Sequence, residues 1–226
     1  MELAALDLDV VALQEIDCRW GERSDNADVA KEMAELLGCH FFFCPSINQG
    51  GRQYGNALLS RYPIVESGRV ELSPQVKWDR SNHETEPRTA AWIRIELPQP
   101  TVVVTTHLAN AIGFASTMVT GLQADRLTSL IADLGRIFPQ HLRILCGDFN
   151  LTPDSPEIAL LASVLPRRSG DIPTWPVQPF EYKGWAEDPP PRFSVDHFFA
   201  NSPLEVDLID SKLSDHLPLV AEVATK

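Results

Sequence analysis

Again and again in this chain an apolar run stops at a carboxylate, an amide or an imidazole. The run at 10–13 leads to Glu15, the run at 102–106 to His107, and the run at 143–146 to Asp148 and Asn150. Asp196 lies within the stretch 193–200, and Asp215 with His216 immediately precedes the last stretch, 217–223. Short apolar runs rich in β-branched residues read as buried strands. Strand ends gathered at one rim of a sheet bring distant polar groups together, as loops on a rigid scaffold do when they build a site.

Between these strands the pattern changes period. Residues 28–37 carry Val29, Met33, Leu36 and Leu37 at helical spacing, with Gly38 placed as the C-terminal stop. Residues 40–44 read as a short aromatic strand, Gly50-Gly51 as a loop, and 56–60 and 64–72 as strands. Residues 89–97 alternate, with Ala91, Ile93, Ile95 and Leu97 on one face of a half-buried strand. A helix is predicted through Leu122, Leu127, Leu130, Ile131 and Leu134, and a second is capped and started by Ser155-Pro156 and ends near Leu165. Residues 166–191 are proline-rich with Trp175, Phe180, Tyr182 and Trp185 interspersed, which predicts an ordered loop near the site. Strands at 193–200, 204–209 and 217–223 finish the chain. There is no internal repeat, and 226 residues suit one large domain.

Charge narrows the partners. A net charge of −12 without a basic stripe argues against tight binding of duplex DNA. Cys18, Cys39, Cys44 and Cys146 have neither a CxxC spacing nor the density of a disulfide framework, which points to a reducing, cytoplasmic setting. Residues 1–7 lack the basic and apolar regions of a signal peptide, and no apolar run approaches the ~20 residues of a membrane helix.

Carboxylate and amide oxygens suit Mg²⁺, which binds few protein ligands and keeps waters and phosphate oxygens. A histidine with a carboxylate partner serves as a base or a charge-stabilising donor. Each residue alone also has a structural reading. Asp148 and Asn150 are turn formers, His107 is also a core histidine, and Asp215-His216 is also a loop before a strand. Arg88 after Glu86-Pro87 is as readily an ion pair as a substrate contact, Asn56 a strand-start cap, and Trp175 and Trp185 a loop's own small core. His40, His83 and His141 have no supporting pattern.

Taken in order, seven motifs resemble those of the endonuclease/exonuclease/phosphatase superfamily, with its DNase I-like, sphingomyelinase and inositol-phosphatase members. They are Leu13-Gln14-Glu15, Gly55-Asn56-Ala57-Leu58-Leu59-Ser60-Arg61, Glu86-Pro87-Arg88, Thr106-His107-Leu108, Gly147-Asp148-Phe149-Asn150, Val195-Asp196-His197 and Ser214-Asp215-His216-Leu217-Pro218. The resemblance implies an α/β (α+β) fold, a four-layered αββα sandwich of two mixed β-sheets, DNase I-like, with the site at one end. It implies Mg²⁺ (or Mn²⁺) as cofactor, Glu15 as main metal ligand and Asp215 as a second. His216 paired with Asp196 is base or phosphate-activating group. Asp148 and Asn150 position water and phosphate, and His107 stabilises charge on the phosphoryl oxygens. Members differ over whether the aspartate or the histidine takes the water's proton, and both assignments stand. Asn56, Arg88, Trp175 and Trp185 are the candidate substrate contacts.

Two features depart from the family pattern. The family opens with a strand carrying an Asn, followed by the helix in which this chain starts. Residues 1–226 are therefore expected to form one domain lacking its first strand, with the reading frame extending upstream. His197 stands where the family more often has an aromatic residue. The expected function is metal-dependent hydrolysis of a small or lipid-derived phosphoester. The alternatives are a nuclease (endonuclease or exonuclease) on short or single-stranded nucleic acid and, in another class, a degenerate non-catalytic binding protein.

Overall fold

The computed structural model describes residues 2–73, 86–110, 116–182 and 184–223. His83 lies outside the described residues. The elements follow as α1 (Glu2–Ala5), β1 (Val10–Cys18), α2 (Val29–Leu37), β2 (His40–Gln49), β3 (Arg52–Ser60), β4 (Ile64–Glu71), β5 (Thr89–Ile95) and β6 (Thr101–His107). Then come α3 (Thr117–Ile137), β7 (Leu142–Asp148), α4 (Pro156–Val164), β8 (Phe180–Tyr182), β9 (Trp185–Glu187), β10 (Asp196–Ala200), β11 (Leu204–Leu208) and β12 (Leu219–Val223).

Two sheets form the frame. One runs β1-β3-β2 and is antiparallel throughout; the other runs β10-β7-β6-β5-β4 and is mixed, with β6 and β7 parallel. A parallel pair needs a long crossover, which α3 supplies. As the central strand of five, β6 is buried along its whole length, so its Val102–Thr106 run does not alternate. The β11–β12 pair forms a small sheet of its own.

Four layers follow from the packing. Val102, Val104, Leu145 and Phe199 on one face of the mixed sheet pack under α3 and α4 through Leu127, Leu130, Ile131, Ile158 and Leu161. On its other face Ala91, Ile93, Ile95 and Val103 meet Cys44 and Leu58 of the antiparallel sheet, so the alternation read in β5 becomes the sheet-to-sheet interface. The outer face of the antiparallel sheet, Ala57 and Leu59, is covered by Ala30 and Ala34 of α2.

The ends of α2 follow the expected chemistry: Asp28 accepts a hydrogen bond from the Lys31 amide at 3.3 Å, and Gly38 closes the helix in the left-handed conformation at φ 66°. At α4 the expectation is corrected. Ser155 occupies the cap position, but its hydroxyl makes no capping bond; Pro156, with φ already helical, starts the helix. The stretch 166–191 is also more regular than expected. It holds the β8–β9 hairpin and single bridges from Arg167 to Phe199 and from Trp175 to Phe193. No helix of the described residues is long and apolar enough to cross a membrane.

Candidate active site

Strand register assembles the centre of the site. His107 stands opposite Asp148 in the parallel β6–β7 pair, and Asp148 stands opposite Asp196 in the antiparallel β7–β10 pair. Three chemical groups from distant sequence positions are thereby level on neighbouring strands. Gly147 makes the approach possible: at φ 140° a Cβ there would lie 2.2 Å from the Thr106 carbonyl oxygen. Just beyond β7, Asn150 adopts φ 52°, and its amide N–H donates to Asp148 Oδ1 at 2.8 Å. Its side-chain amide lies 3.0 Å from His107 Nε2 and donates to the Leu108 carbonyl at 3.2 Å.

Glu15 arrives by a bulge in β1. Leu13 pairs with Ala57 and Ile16 with Gly55, so Gln14 and Glu15 together face Asn56 alone. Glu15 takes φ 59°, a conformation that non-glycine residues hold only when their surroundings enforce it. The bulge aims its carboxylate across the gap, 3.8 Å from His107 Nδ1.

The third contribution comes from the segment before β12. His216 Nδ1 donates to Asp196 Oδ2 at 2.8 Å, and its Nε2 faces Asp148 Oδ2 at 3.9 Å. Two backbone hydrogen bonds strap this segment to 174–177: Val177 N–H donates to the Asp215 carbonyl and Leu217 N–H to the Thr174 carbonyl, each at 2.9 Å. The Trp175 ring lies 6.4 Å from the His216 ring.

These groups line a pocket of about 220 Å³ with Tyr54, Glu86, Arg88, Asn110, Phe180, Tyr182, Trp185 and Val195. Burial holds His107 well below the ordinary histidine range, helped by the positive charges of Arg88 and His216, so it is a neutral imidazole. Burial raises Asp148 to about 7, with Asp196 adding to the rise and His216 opposing it. For His216 burial acts against the charged form, but Asp148, Asp196 and Asp215 outweigh it and raise the imidazole to about 10. Glu15 opens onto the pocket with 64 % of its side chain accessible, yet the surrounding walls raise its pKa through desolvation, with Asp215 adding and Arg88 opposing.

Of the residues singled out from sequence, Glu15, Arg88, His107, Asp148, Asn150, Trp175, Trp185, Asp215 and His216 face this pocket. Asp196 stands behind His216. Asn56 is not on the pocket wall; it is buried opposite the bulge, and its side-chain amide donates to the Thr89 carbonyl at 3.0 Å. Arg88 is 7 % exposed and paired with Glu86 at 3.1 Å, while its Nε has no hydrogen-bond partner among the described residues. His197 is buried away from the pocket, packed at a tilt of 56° with its ring 5.5 Å from that of Phe149, and with Nε2 donating to the Leu151 carbonyl at 2.8 Å. It fills an aromatic position.

Sequence reasoning gave no role to Tyr54 or Asn110, placed Phe180 and Tyr182 only in an ordered loop near the site, and read Glu86 only beside Arg88 as an ion pair. Tyr54 interacts with Glu15 and packs 5.8 Å from Trp20, an arrangement that needs the bulge geometry to be seen. Glu86 was within reach, two residues from Arg88.

The donor chemistry fits a hard cation. Glu15 and Asp215 both offer carboxylate oxygens to the pocket, close enough that the charge of Asp215 disfavours that of Glu15. Among the described residues no group of three or more His, Cys, Asp or Glu is gathered so as to hold a metal ion by itself, so a cation here would rest on the two carboxylates and on ligands from water and substrate. Few protein ligands and room for phosphate oxygens match Mg²⁺.

The sequence profile of the Endonuclease/Exonuclease/phosphatase family matches residues 2–216. No curated protein sequence matches the chain. Among solved structures, the chain resembles the Bacteroides thetaiotaomicron VPI-5482 mannosyl-6-phosphatase Bt3783 at 20 % identity and TM-score 0.69, covering 99 % of this chain and 90 % of that one. The human Nocturnin catalytic domain with bound sulfate matches at 20 % identity and TM-score 0.68, over 97 % and 82 % of the two chains. A humanized D. rerio TDP2 matches at 18 % identity and TM-score 0.66, over 99 % and 88 %. At such identities the likeness establishes the fold, which is DNase I-like.

Proposed function

The chain belongs to the endonuclease/exonuclease/phosphatase family, whose members hydrolyse phosphoester bonds, and on that premise we propose that it is a divalent-metal-dependent hydrolase of a small phosphoester. The observation that carries this reading is the register-locked row His107, Asp148 and Asp196, with His107 and Asp148 lining one pocket beside Glu15, Asp215 and His216, and Asp196 bonded to His216 from behind.

Glu15 and Asp215 would hold Mg²⁺ or Mn²⁺, which when bound polarises a phosphoryl oxygen and neutralises charge. The chain's own groups do the rest. Asn150 and Asp148 orient the attacking water and the phosphate. Asp148, ionising nearer neutrality than His216, is the better-suited base, because a base must be deprotonated at working pH. Asp196 then holds His216 as an imidazolium directed at the phosphoryl oxygens. His107, neutral, contributes an N–H to the same oxygens. Arg88 contacts the phosphate from its buried position, and Trp175 and Trp185 form part of the pocket wall. Asn56 acts through the bulge that presents Glu15.

A panel of phosphomonoesters and phosphodiesters, set beside short single-stranded oligonucleotides and duplex DNA with Mg²⁺ present, tests this. Turnover of small esters above the oligonucleotides supports it. Preference for oligonucleotides replaces it with the nuclease reading. No turnover of anything leaves a binding protein.

A further inference from the structure

The β8–β9 hairpin has two unlike faces. Phe180, Tyr182, Trp185 and Glu187 are half-buried, whereas Glu181 and Ala186 between them are exposed. Tyr182 stands directly opposite Trp185 across the hairpin, and the aromatic face lines the pocket. Two strands of three residues have little stability of their own in water. Their anchor is Trp175, only 6 % exposed, which lies 5.2 Å from Phe180 and 5.3 Å from Trp185 and reaches the His216 ring. The aromatic wall therefore begins at the reacting centre and continues away from it.

Among the described residues, the carboxylates of that wall are paired. The Trp185 indole N–H donates to Glu187 at 2.9 Å, which fixes the ring plane, and Glu187 is ion-paired with Arg192. On the neighbouring wall Glu86 is paired with Arg88. The chain's net charge of −12 further disfavours a polyanionic ligand. What this side of the pocket offers is ring faces and edges at mixed tilts, Phe180 lying edge-on to both tryptophans at 70° and 65°. Such surfaces gain most from another ring, placed offset or edge-to-face.

We infer that the pocket face of the β8–β9 hairpin is the leaving-group subsite, and that it takes an uncharged, ring-bearing alcohol released from its phosphoester. The inference rests on the hydrolase reading above. In the step it serves, water gives a proton to Asp148 as its oxygen adds at phosphorus and the phosphorus–oxygen bond to that alcohol breaks; the alkoxide takes a proton from solvent water and leaves over Trp185.

Ethyl, 2-cyclohexylethyl and 2-phenylethyl phosphates, each also as the methyl diester, test it, because the three alcohols have nearly equal basicity. The 2-phenylethyl ester should exceed the ethyl ester in kcat/KM by about tenfold, the scale of an aromatic contact. Trp185→Ala should erase that ratio, and Glu181→Ala, on the outer face of the same hairpin, should preserve it. Equal kcat/KM for the three esters, or a ratio that survives Trp185→Ala, overturns the subsite. If no ester is turned over, the hydrolase reading fails separately, and calorimetry with the corresponding phosphonates decides the subsite. Tighter binding of the 2-phenylethyl phosphonate, lost in Trp185→Ala, keeps it; equal affinities overturn it.

Discussion

Two histidines of similar sequence setting have opposite duties. His216 is bonded to Asp196 at the pocket, and His197 is bonded to Leu151 inside the core. His216→Ala and Asp148→Asn should each lower kcat by ~10² with the fold intact, the usual cost of a positioned acid–base or charge-stabilising group. His197→Ala should cost far less in rate. A loss from His197→Ala equal to that from His216→Ala, with both variants folded, would overturn the assignment. His197 instead governs acid stability. Burial lowers its pKa from 6.5 to about 4, so between those values the unfolded chain binds a proton that the folded chain does not. Its stability contribution is present above pH 6.5 and lost as pH falls toward 4, amounting to about 3 kcal/mol. His197→Gln should flatten the stability–pH curve over that interval, as followed by urea unfolding.

At the scale of elements, the 174–177 segment is a strap rather than a free loop. It is bonded to the backbone on both sides of His216, with Trp175 packed against the imidazole. Trp175→Ala should destabilise the protein by roughly 3–5 kcal/mol, as emptying a buried aromatic site does, and should lower kcat by loosening His216. Trp185→Ala, at the half-buried wall, should act mainly on KM. Steady-state kinetics with thermal unfolding separates the two, and equal effects of both variants on kcat and KM would remove the distinction. From sequence alone both tryptophans belonged to one aromatic stretch. Nothing in their spacing tells which ring is turned inward, because the stretch has no single period.

For the whole molecule the test is the cation. Excess chelator should abolish hydrolysis, and Mg²⁺ or Mn²⁺ should restore it. Mg²⁺ at about a hundred times its Kd should also add about 2.7 kcal/mol to stability, and Glu15→Gln should weaken that gain. Full turnover in chelator, or a melting temperature indifferent to Mg²⁺, would remove the metal from the mechanism. The sequence by itself determined most of the strands and the longer helices, though not the β8–β9 hairpin, and which residue types end the strands, since apolar period is a local property. Alternation in β5 located the sheet interface, and of Val29, Met33, Leu36 and Leu37 the helical spacing placed Met33 and Leu37 on the packed face, whereas Leu36 is 66 % exposed. Tertiary structure alone decided which ends meet. The level row of His107, Asp148 and Asp196 is a matter of strand register, and one residue of slip would send each side chain to the opposite face. The aim of Glu15 depends on a bulge that exists only because Gln14 and Glu15 share one partner, Asn56, on a strand some forty residues away. The placement of Trp175 against His216 likewise requires two distant segments to be strapped together by backbone bonds, whose partners no side-chain pattern encodes.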